Sequence, residues 1–392
     1  MTTKMNRRDF LKYAGLVSAS TAVPLLAPEM LFAANGQRQN KIVVLVELKG
    51  GNDGFNTLVP FKDELYYSYR PTIGIQERHV LKLNNEFGMH PRMKALMPLW
   101  NKGNLAWVQG VGYPQPVLSH FRSMDIWNSA SNANQVIEAG WLSRVLPNFK
   151  QGLHGVALNK GQAELGPLYS SNLNAVTMQN PKTFLNQIRR IENVQPSRLN
   201  PAIAHISQTQ HQLFGVGEQL ANKMGNRPAR SGVRFSKGVF GHSLESVAEM
   251  IISGIDSPVY KVTQDGFDTH SGQRGAQDNA LFQVAGGLAS FQQAMERADL
   301  WNNVLVVTYS EFGRRAKENR GAGTDHGTAS AHMVMGGRVR GGVYGTHPDL
   351  SRLDQNGNVA HTTDFRAMYA TIAQRWWNQP NPWAGAPLIP FV

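Results

Sequence analysis

The chain has 392 residues, no cysteine and a formal net charge of +12. The absence of cysteine excludes disulfide bonds and thiolate metal sites, and the length suffices for one large domain or two modest ones. The basic excess favours anionic partners or reflects solubility alone, and nucleic acid is not expected because the basic residues are scattered without a recognition motif.

An arginine pair stands near the amino terminus and is followed by a short apolar stretch. Asn6–Lys12 has the sequence NRRDFLK, and the apolar stretch runs from about Tyr13 to Leu26. This is the pattern of a twin-arginine export signal, and it is shorter than the ~20 apolar residues that a membrane span needs. We predict that residues 1–34 are a signal peptide, recognised by the twin-arginine export machinery and removed on transfer to the periplasm or outside the cell, which leaves no transmembrane anchor. An amphipathic helix or an uncleaved anchor is the alternative.

The remaining residues, 35–392, alternate strand-like and helix-like segments. Buried strands are predicted where apolar runs rich in valine occur, at Lys41–Leu48, Leu105–Val111, Val259–Val262 and Val304–Thr308. Helical periodicity marks residues 244–255, with Ser243 as N-cap, and residues 281–295. The alternation predicts an α/β sandwich around a mostly parallel central sheet.

The stretch of about residues 147–240 is less regular than the rest of the chain. It is richer in Asn and Gln and is interrupted by Gly and Pro. We predict an insertion or subdomain that rests on the sheet. Within it, residues 208–225 are predicted to form a helix that stands out from the body.

Polar residues suited to metal and ester chemistry follow the predicted strands. In an open parallel sheet, ligands bind beyond the carboxyl ends of the strands, so a site is expected there. The segments concerned are Gly50–Gly54 (GGNDG), Ser119–Arg122 (SHFR), Asp268–His270 (DTH), Ser310–Arg314 (SEFGR) and Thr324–Gly327 (TDHG). Each alone is commonly a turn or a helix cap. Two of them hold Asp and His together, and such ligands without sulfur suit zinc, manganese, iron(II), or a pair with magnesium or calcium.

In this order, the motifs resemble the alkaline phosphatase and sulfatase superfamily, and more closely an exported family called domain of unknown function 1501. The resemblance covers nearly all of residues 35–392. It implies an alkaline-phosphatase-like α/β/α domain. It also implies divalent metal ions, up to two of zinc, manganese, magnesium or calcium, at the carboxyl edge of the sheet beside a nucleophile at a helix start.

The resemblance also implies roles for particular residues. Ser119 is the implied nucleophile, and Arg122 and Arg314 are implied to clamp the oxygen atoms of the substrate. The implied metal ligands are Asp53, Asp268, His270, Asp325, His326 and His332, with His361 as a rival to His332. In the superfamily an Asp–His pair usually follows its strand at once, whereas here Glu311 takes that place. Either Glu311 is itself a ligand, or the following loop folds back.

These expectations combine into a predicted function with one alternative. The prediction is an exported, metal-dependent hydrolase or transferase that acts on a phosphate or sulfate ester of an anionic small molecule or glycan. Ser119 lacks the flanking residues that mark a sulfatase, which argues against a formylglycine-dependent enzyme. The alternative is a non-catalytic exported protein of the same fold that binds an anionic glycan or a cell-surface partner.

Overall fold

The structure, a computed structural model, describes residues 41–146, 152–159, 163–191, 201–225 and 229–392. The predicted signal peptide, residues 1–34, lies outside the described residues, as does part of the predicted 147–240 insertion. Within these ranges, no helix combines the length and the apolar character needed to cross a bilayer.

The bounds of the regular elements are as follows. The strands in the described ranges are β1 (Ile42–Leu48), β2 (Leu58–Val59), β3 (Leu81–Lys82), β4 (Gly88–Met89), β5 (Leu105–Gly112), β6 (Gly155–Leu158), β7 (Ala175–Met178), β8 (Val259–Gln264), β9 (Val304–Tyr309), β10 (Gly313–Arg314), β11 (His326–Gly327), β12 (Ser330–Met335), β13 (Gly342–Tyr344) and β14 (Thr363–Asp364). The α-helices there are α1 (Gly54–Thr57), α2 (Glu64–Tyr69), α3 (Met97–Asn101), α4 (His120–Ser129), α5 (Pro181–Ile188), α6 (Pro201–Met224), α7 (Val239–Ile252), α8 (Gln273–Arg297) and α9 (Arg366–Thr371).

The central sheet is mixed but mostly parallel. Its strand order is β13-β5-β12-β9-β1-β8-β6-β7, and β14 also pairs with β5. β12 runs antiparallel to both β5 and β9, whereas the other pairings in this sheet are parallel. The predicted α/β class with a mostly parallel central sheet is confirmed. Because β1, β5, β8 and β9 point the same way, their carboxyl ends meet at one edge.

Helices cover both faces of the sheet. Every residue of β1 is buried, and its alternating side chains enter two separate cores, Val44 and Val46 on one face and Val43 and Leu45 on the other. The first core includes apolar residues of α7 and α8, and the second includes those of α4 and α9. A continuous valine-rich run is therefore what a strand between two helical layers requires.

Two predicted helices differ from the observed ones. α7 has Gly238 as its N-cap, so Ser243 lies inside the helix and the prediction of Ser243 as N-cap is wrong. The cause is Phe240, which is buried in the core and extends the apolar stripe one turn further upstream. α6 begins well before residue 208, and it packs on the main core rather than standing out, through the buried residues Leu213, Val216, Leu220 and Met224.

The described part of the 147–240 region contributes to the main sheet. β6 pairs in parallel with β8, and β7 follows as the edge strand. These strands are short, at four residues each, and the residues around them are rich in turns. The division into one domain with an insertion stays a prediction.

A buried ion pair joins two parallel strands just below the carboxyl edge. Lys261 Nζ lies 2.6 Å from Glu47 Oε2, and both side chains are almost fully buried. Thr263 donates a second hydrogen bond to Glu47 Oε2 at 3.0 Å. Burial by itself raises the pKa of Glu47, but the charge of Lys261 and the hydrogen bonds from Lys261 and Thr263 outweigh it and hold the pKa below its usual value.

Replacing Lys261 by methionine leaves the Glu47 carboxylate buried without its cation. We expect the free energy of unfolding of Lys261→Met to fall by about 3–5 kcal/mol at pH 7. In the wild-type protein, the lowered pKa of Glu47 stabilises the fold above the unfolded-state pKa, and this contribution is lost as pH falls through the folded-state pKa. In the variant, burial alone raises that pKa, so stability is regained as pH falls. Chemical denaturation at pH 7 and pH 5 measures both effects.

The matched control removes both charges. The double variant Glu47→Leu, Lys261→Met leaves no buried charge and is expected to recover most of the lost stability. An equal loss in the single and the double variant would contradict this assignment.

Candidate metal centre

Loops at the carboxyl edge bring imidazole and carboxylate groups together. His120 is the first residue of α4, Asp268 and His270 follow β8, and His326 begins β11. β11 pairs antiparallel with β10, with His326 opposite Arg314. Because β10 directly follows the turn after β9, this pairing folds the loop back to the sheet edge. The role of Glu311 as a ligand stays a prediction.

Close backbone approach at glycine holds these loops near one another. Gly50 has a φ of +118°, and a Cβ atom there would lie 2.3 Å from the backbone nitrogen of Asp268. A Cβ atom at Gly323 would lie 2.3 Å from the carbonyl carbon of His270. Only glycine allows these contacts without displacement of the backbone. Gly50 of the GGNDG motif and Gly323, which directly precedes the TDHG motif, are therefore required by close packing between loops.

The Nε2 atoms of His120, His270 and His326 converge on the carboxylate of Asp268, and these four residues are called the cluster below. His270 Nε2 lies 3.2 Å from Asp268 Oδ1, and His326 Nε2 lies 3.4 Å from the same oxygen. His120 Nε2 lies 3.5 Å from Asp268 Oδ2. The Nε2 atoms of His270 and His326 are 3.0 Å apart. Within the described residues, His120, Asp268 and His326 place one ligand atom each within 4.8 Å of the others.

An oxygen atom on the Nδ1 side orients each of these imidazoles. The pairs are His120 with Glu311 Oε1 at 2.9 Å, His326 with the Leu118 carbonyl at 2.8 Å and His270 with Asp325 Oδ1 at 3.5 Å. A proton on Nδ1 faces such an oxygen, which leaves the Nε2 lone pair directed into the cluster. Metal-binding histidines are held in this way, through a carboxylate or carbonyl behind the ring.

The charges of the cluster suit a divalent cation. Burial raises the pKa of Asp268, but the hydrogen bond and charge of Arg314 outweigh it and hold the pKa below its usual value. Burial lowers the pKa of His326, which favours the neutral ring. A cation needs ionised carboxylates and neutral imidazoles, so these residues fit one. The imidazole and carboxylate donors without sulfur suit zinc or manganese.

The cluster is open on one side and buried behind. The side chains of Asp268 and His270 are each 48% exposed. Glu311 is buried behind His120 and also accepts hydrogen bonds from the Gly50 backbone nitrogen at 2.9 Å and from a neighbouring serine hydroxyl. Glu311 therefore lies behind the ring that faces the cluster, and Asp325 lies behind His270 in the same way.

Neither predicted substrate clamp presents a free guanidinium. Arg314 is completely buried, and it donates to Asp268 Oδ1 at 2.7 Å and to backbone carbonyls of the surrounding loops. Arg122 donates to the carbonyls of Ala133 and Gln135. Arg314 thus reaches the cluster from behind, and Arg122, in the first turn of α4, contacts the loop that follows this helix.

Three further predicted residues lie outside the cluster. Asp53 is buried, caps α1 and forms an ion pair with Arg70 at 2.5 Å. His332 is fully buried in β12 with its ring in a T-shaped contact with Trp127, and neither ring nitrogen has a hydrogen-bond partner among the described residues. His361 packs against the last residue of β5. The structure does not bring these three side chains together with Asp268.

Ser119 stands next to the cluster, and sequence reasoning passed over its neighbour. Ser119 is the N-cap of α4, is exposed, and makes no capping hydrogen bond with its side chain. Leu118 and His120 on either side of it both contact the cluster. His120 was not predicted as a ligand, although its place beside Ser119 at a helix start was the available signal.

A cavity of about 420 Å³ runs along the outer face of α4. Its lining combines exposed apolar and acidic side chains with one cation, from Asp125, Val136, Glu138, Glu164, Tyr169 and Arg122. Carboxylates outnumber cations in this lining. The charge of the cavity lining is therefore not complementary to an anion. A cation held by the cluster would be complementary to an anion.

The comparisons with known proteins identify a family and several distant structures. The family model described as "Protein of unknown function (DUF1501)" matches residues 40–381. No curated protein sequence matches the chain. Among solved structures, the chain is similar to a protein in the alkaline phosphatase superfamily from Vibrio parahaemolyticus, with 9% identity, a TM-score of 0.40, and coverage of 95% of this chain and 76% of that chain.

The chain is similar to two further solved structures at comparable identity, TM-score and coverage. Lipoteichoic acid synthase LtaP from Listeria monocytogenes has 9% identity and a TM-score of 0.36, over 89% of this chain and 74% of that chain. The C-terminal periplasmic domain of EptC from Escherichia coli, in complex with Zn, has 11% identity and a TM-score of 0.36, over 80% of this chain and 77% of that chain. The predicted family is confirmed by the match to its model.

Substitution of His332 tests whether this histidine is a metal ligand or a buried core residue. Burial lowers the pKa of His332 to about 3, so the folded protein keeps the ring neutral while the unfolded chain binds a proton below its ordinary pKa of about 6.5. Stability is therefore lost as pH falls, by about 2 kcal/mol from this residue at pH 5. We expect His332→Leu to flatten the dependence of unfolding free energy on pH between 7 and 5 and to leave metal content unchanged.

The control for this measurement is His242→Ala, which removes a histidine that is 69% exposed in α7 and should leave the pH dependence unaltered. Loss of bound metal in His332→Leu would instead place His332 among the ligands.

Proposed function

Because the chain belongs to the DUF1501 family and its imidazole–carboxylate cluster fits a divalent cation, we propose that it is an exported, metal-dependent hydrolase or transferase of phosphate or sulfate esters. The twin-arginine pattern of the sequence supports export. One observation carries the proposal of a metal site: the Nε2 atoms of His120, His270 and His326 converge on Asp268.

The convergence brings three imidazoles to one carboxylate. The Nε2 atoms of His270 and His326 approach to 3.0 Å, and one lone pair at least then faces another nitrogen or its proton. A cation placed among His120, Asp268 and His326, whose ligand atoms lie within 4.8 Å of one another, would accept a lone pair from each. The oxygen behind each ring keeps its tautomer suited to that role.

The residues around the proposed cation have different roles. His120, Asp268 and His326 would hold the cation, which leaves a coordination position for the ester, and Glu311 keeps the His120 ring turned toward the cation. A cation bound there supplies Lewis-acid stabilisation of the negative charge that develops on the ester oxygens. Arg314 keeps the carboxylate of Asp268 ionised and in place.

Ser119 is the proposed nucleophile. Its hydroxyl lies at the positive end of the α4 helix dipole and makes no capping bond. Attack by the oxygen on phosphorus or sulfur forms an ester at Ser119 while the bond to the leaving oxygen breaks, and the leaving alcohol receives the proton. Water then attacks and hydrolyses this ester. In a transferase, an acceptor hydroxyl attacks in place of water.

The second candidate is a non-catalytic exported protein that binds an anionic glycan or a cell-surface partner. The observation in its favour is that the guanidinium groups of Arg122 and Arg314 are both engaged by the protein itself. The acidic lining of the cavity along α4 counts against an anionic glycan there. A cluster that holds a cation is a better site for an anion than this cavity. The enzyme and the non-catalytic protein would then bind the ester at the same site and differ only in whether they cleave it.

Metal content and turnover test the proposal together. We expect the purified chain to hold about one divalent cation, because the described residues offer one such group of three ligands. Asp268→Asn and His326→Ala are expected to lower metal affinity about 10–100-fold or more, and a chelator should abolish hydrolysis of generic phosphate or sulfate esters. Elemental analysis and an ester panel measure these effects, with His242→Ala as the matched control. A wild-type chain that binds no cation would refute the metal site.

The nucleophile has a separate test. Ser119→Ala is expected to lower kcat by about 10³-fold or more while metal content stays at the wild-type level, because removal of a nucleophile abolishes the covalent step. Ser290→Ala, which changes an exposed hydroxyl on α8, is the control. Full metal occupancy without turnover of any ester in the wild-type chain would favour the non-catalytic candidate.

A further inference from the structure

Gln273 joins the two loops that carry three of the cluster residues. It is the first residue of α8 and has no exposed surface. Its Oε1 atom accepts a hydrogen bond from Thr269 Oγ1 at 3.0 Å and another from Thr324 Oγ1 at 2.6 Å. Thr269 lies between Asp268 and His270 in the chain, and Thr324 lies two residues before the histidine that begins β11.

The other end of the same amide is held from behind. Gln273 Nε2 donates to Asp53 Oδ2 and, at 3.2 Å, to Gln277 Oε1. The carboxylate of Asp53 is ion-paired with Arg70 and accepts hydrogen bonds without donating any. The amide nitrogen of Gln273 must therefore face Asp53, which turns the carbonyl oxygen toward the two threonine hydroxyls.

We propose that Gln273 is a positioning residue, which sets the separation of the loops bearing His270 and His326 and so preorganises the cation site; this inference rests on the proposed metal centre. The observation behind it is that a single buried oxygen atom accepts from both loops. The backbone bond from the Thr324 nitrogen to the Thr269 carbonyl, at 3.1 Å, spans the same gap. Asp53 thereby acts on the site through Gln273 rather than as a ligand.

The consequence of losing this oxygen follows from the geometry. Both threonine hydroxyls are buried, so each loses its acceptor and the loops settle at a different spacing. Residues behind metal ligands typically change metal affinity 10–100-fold when they are replaced. An effect of that size is expected without any direct contact between Gln273 and the cation.

The chain offers a matched control one turn along the same helix. Gln277 is also buried and donates to Asn52 Oδ1, to the Asp53 carbonyl and to Thr57 Oγ1. It also accepts the hydrogen bond from Gln273 Nε2, but it contacts neither Thr269 nor Thr324, and the Oε1 atom of Gln273 keeps both of its donors when Gln277 is replaced. Gln277→Met therefore removes a comparable number of buried hydrogen bonds and leaves the contact between the loops intact.

The first measurement is zinc affinity of the full chain by competition with a chelator. Gln273→Met is expected to raise the zinc Kd about 10–100-fold, and Gln277→Met less than about threefold, with similar falls in Tm for both. The double variant Thr269→Val, Thr324→Val keeps Gln273 and should reproduce the loss, with no further loss when Gln273→Met is added. Equal zinc affinities in Gln273→Met and Gln277→Met would overturn the proposal.

The second measurement does not depend on metal. In chelator-treated protein, hydrogen exchange of the Thr324 amide is expected to accelerate about tenfold in Gln273→Met and to stay within about twofold of wild type in Gln277→Met. Unchanged exchange in Gln273→Met would overturn the positioning role. If the wild-type chain binds no zinc, the proposed function fails, and this exchange measurement still decides whether Gln273 holds the loops.

Discussion

The guanidinium of Arg314 is the contact on which the geometry of this sheet edge depends. It is completely buried, and its nitrogens donate to the carbonyls of Gly50 and Gly51 after β1, of Phe267 after β8 and of Thr324 before β11. The same group binds Asp268 at 2.7 Å. A buried cation requires partners for nearly all of its donors, so these loops must close around it, and the closure places Asp268 where the histidines converge.

Behind this contact lies a layer of buried polar groups that face the protein and not the solvent. Asp53 pairs with Arg70, and Gln273 connects that pair to Thr269. Low solvent access strengthens each of these bonds and makes an unpaired member costly. The outer layer, which includes Asp268 and His270, is half exposed. The site is therefore a rigid support with an open face.

Sequence reasoning located this edge but did not separate the two layers. Asp53 and Arg314 were assigned to metal and substrate because their types and places after strands suit those roles. In the structure each of them also has partners within the protein. A carboxylate or guanidinium looks the same in a sequence whether its partner is an ion or a neighbouring loop. His332 illustrates a related limit, because its strand position allowed either face, and its ring lies against Trp127 in the core.

The sequence by itself determined the fold class, four strands of the central sheet, two of the long helices and the edge at which polar groups gather. Those features follow from local signals, namely continuous apolar runs, helical periodicity and motifs that directly follow strands. Only the tertiary structure decided which side chains meet. The bond between Gly50 and Glu311 spans 261 positions, and its existence depends on how β1 and β9 lie side by side and on how each loop folds beyond them. Distances of that kind are products of packing, which no local pattern specifies.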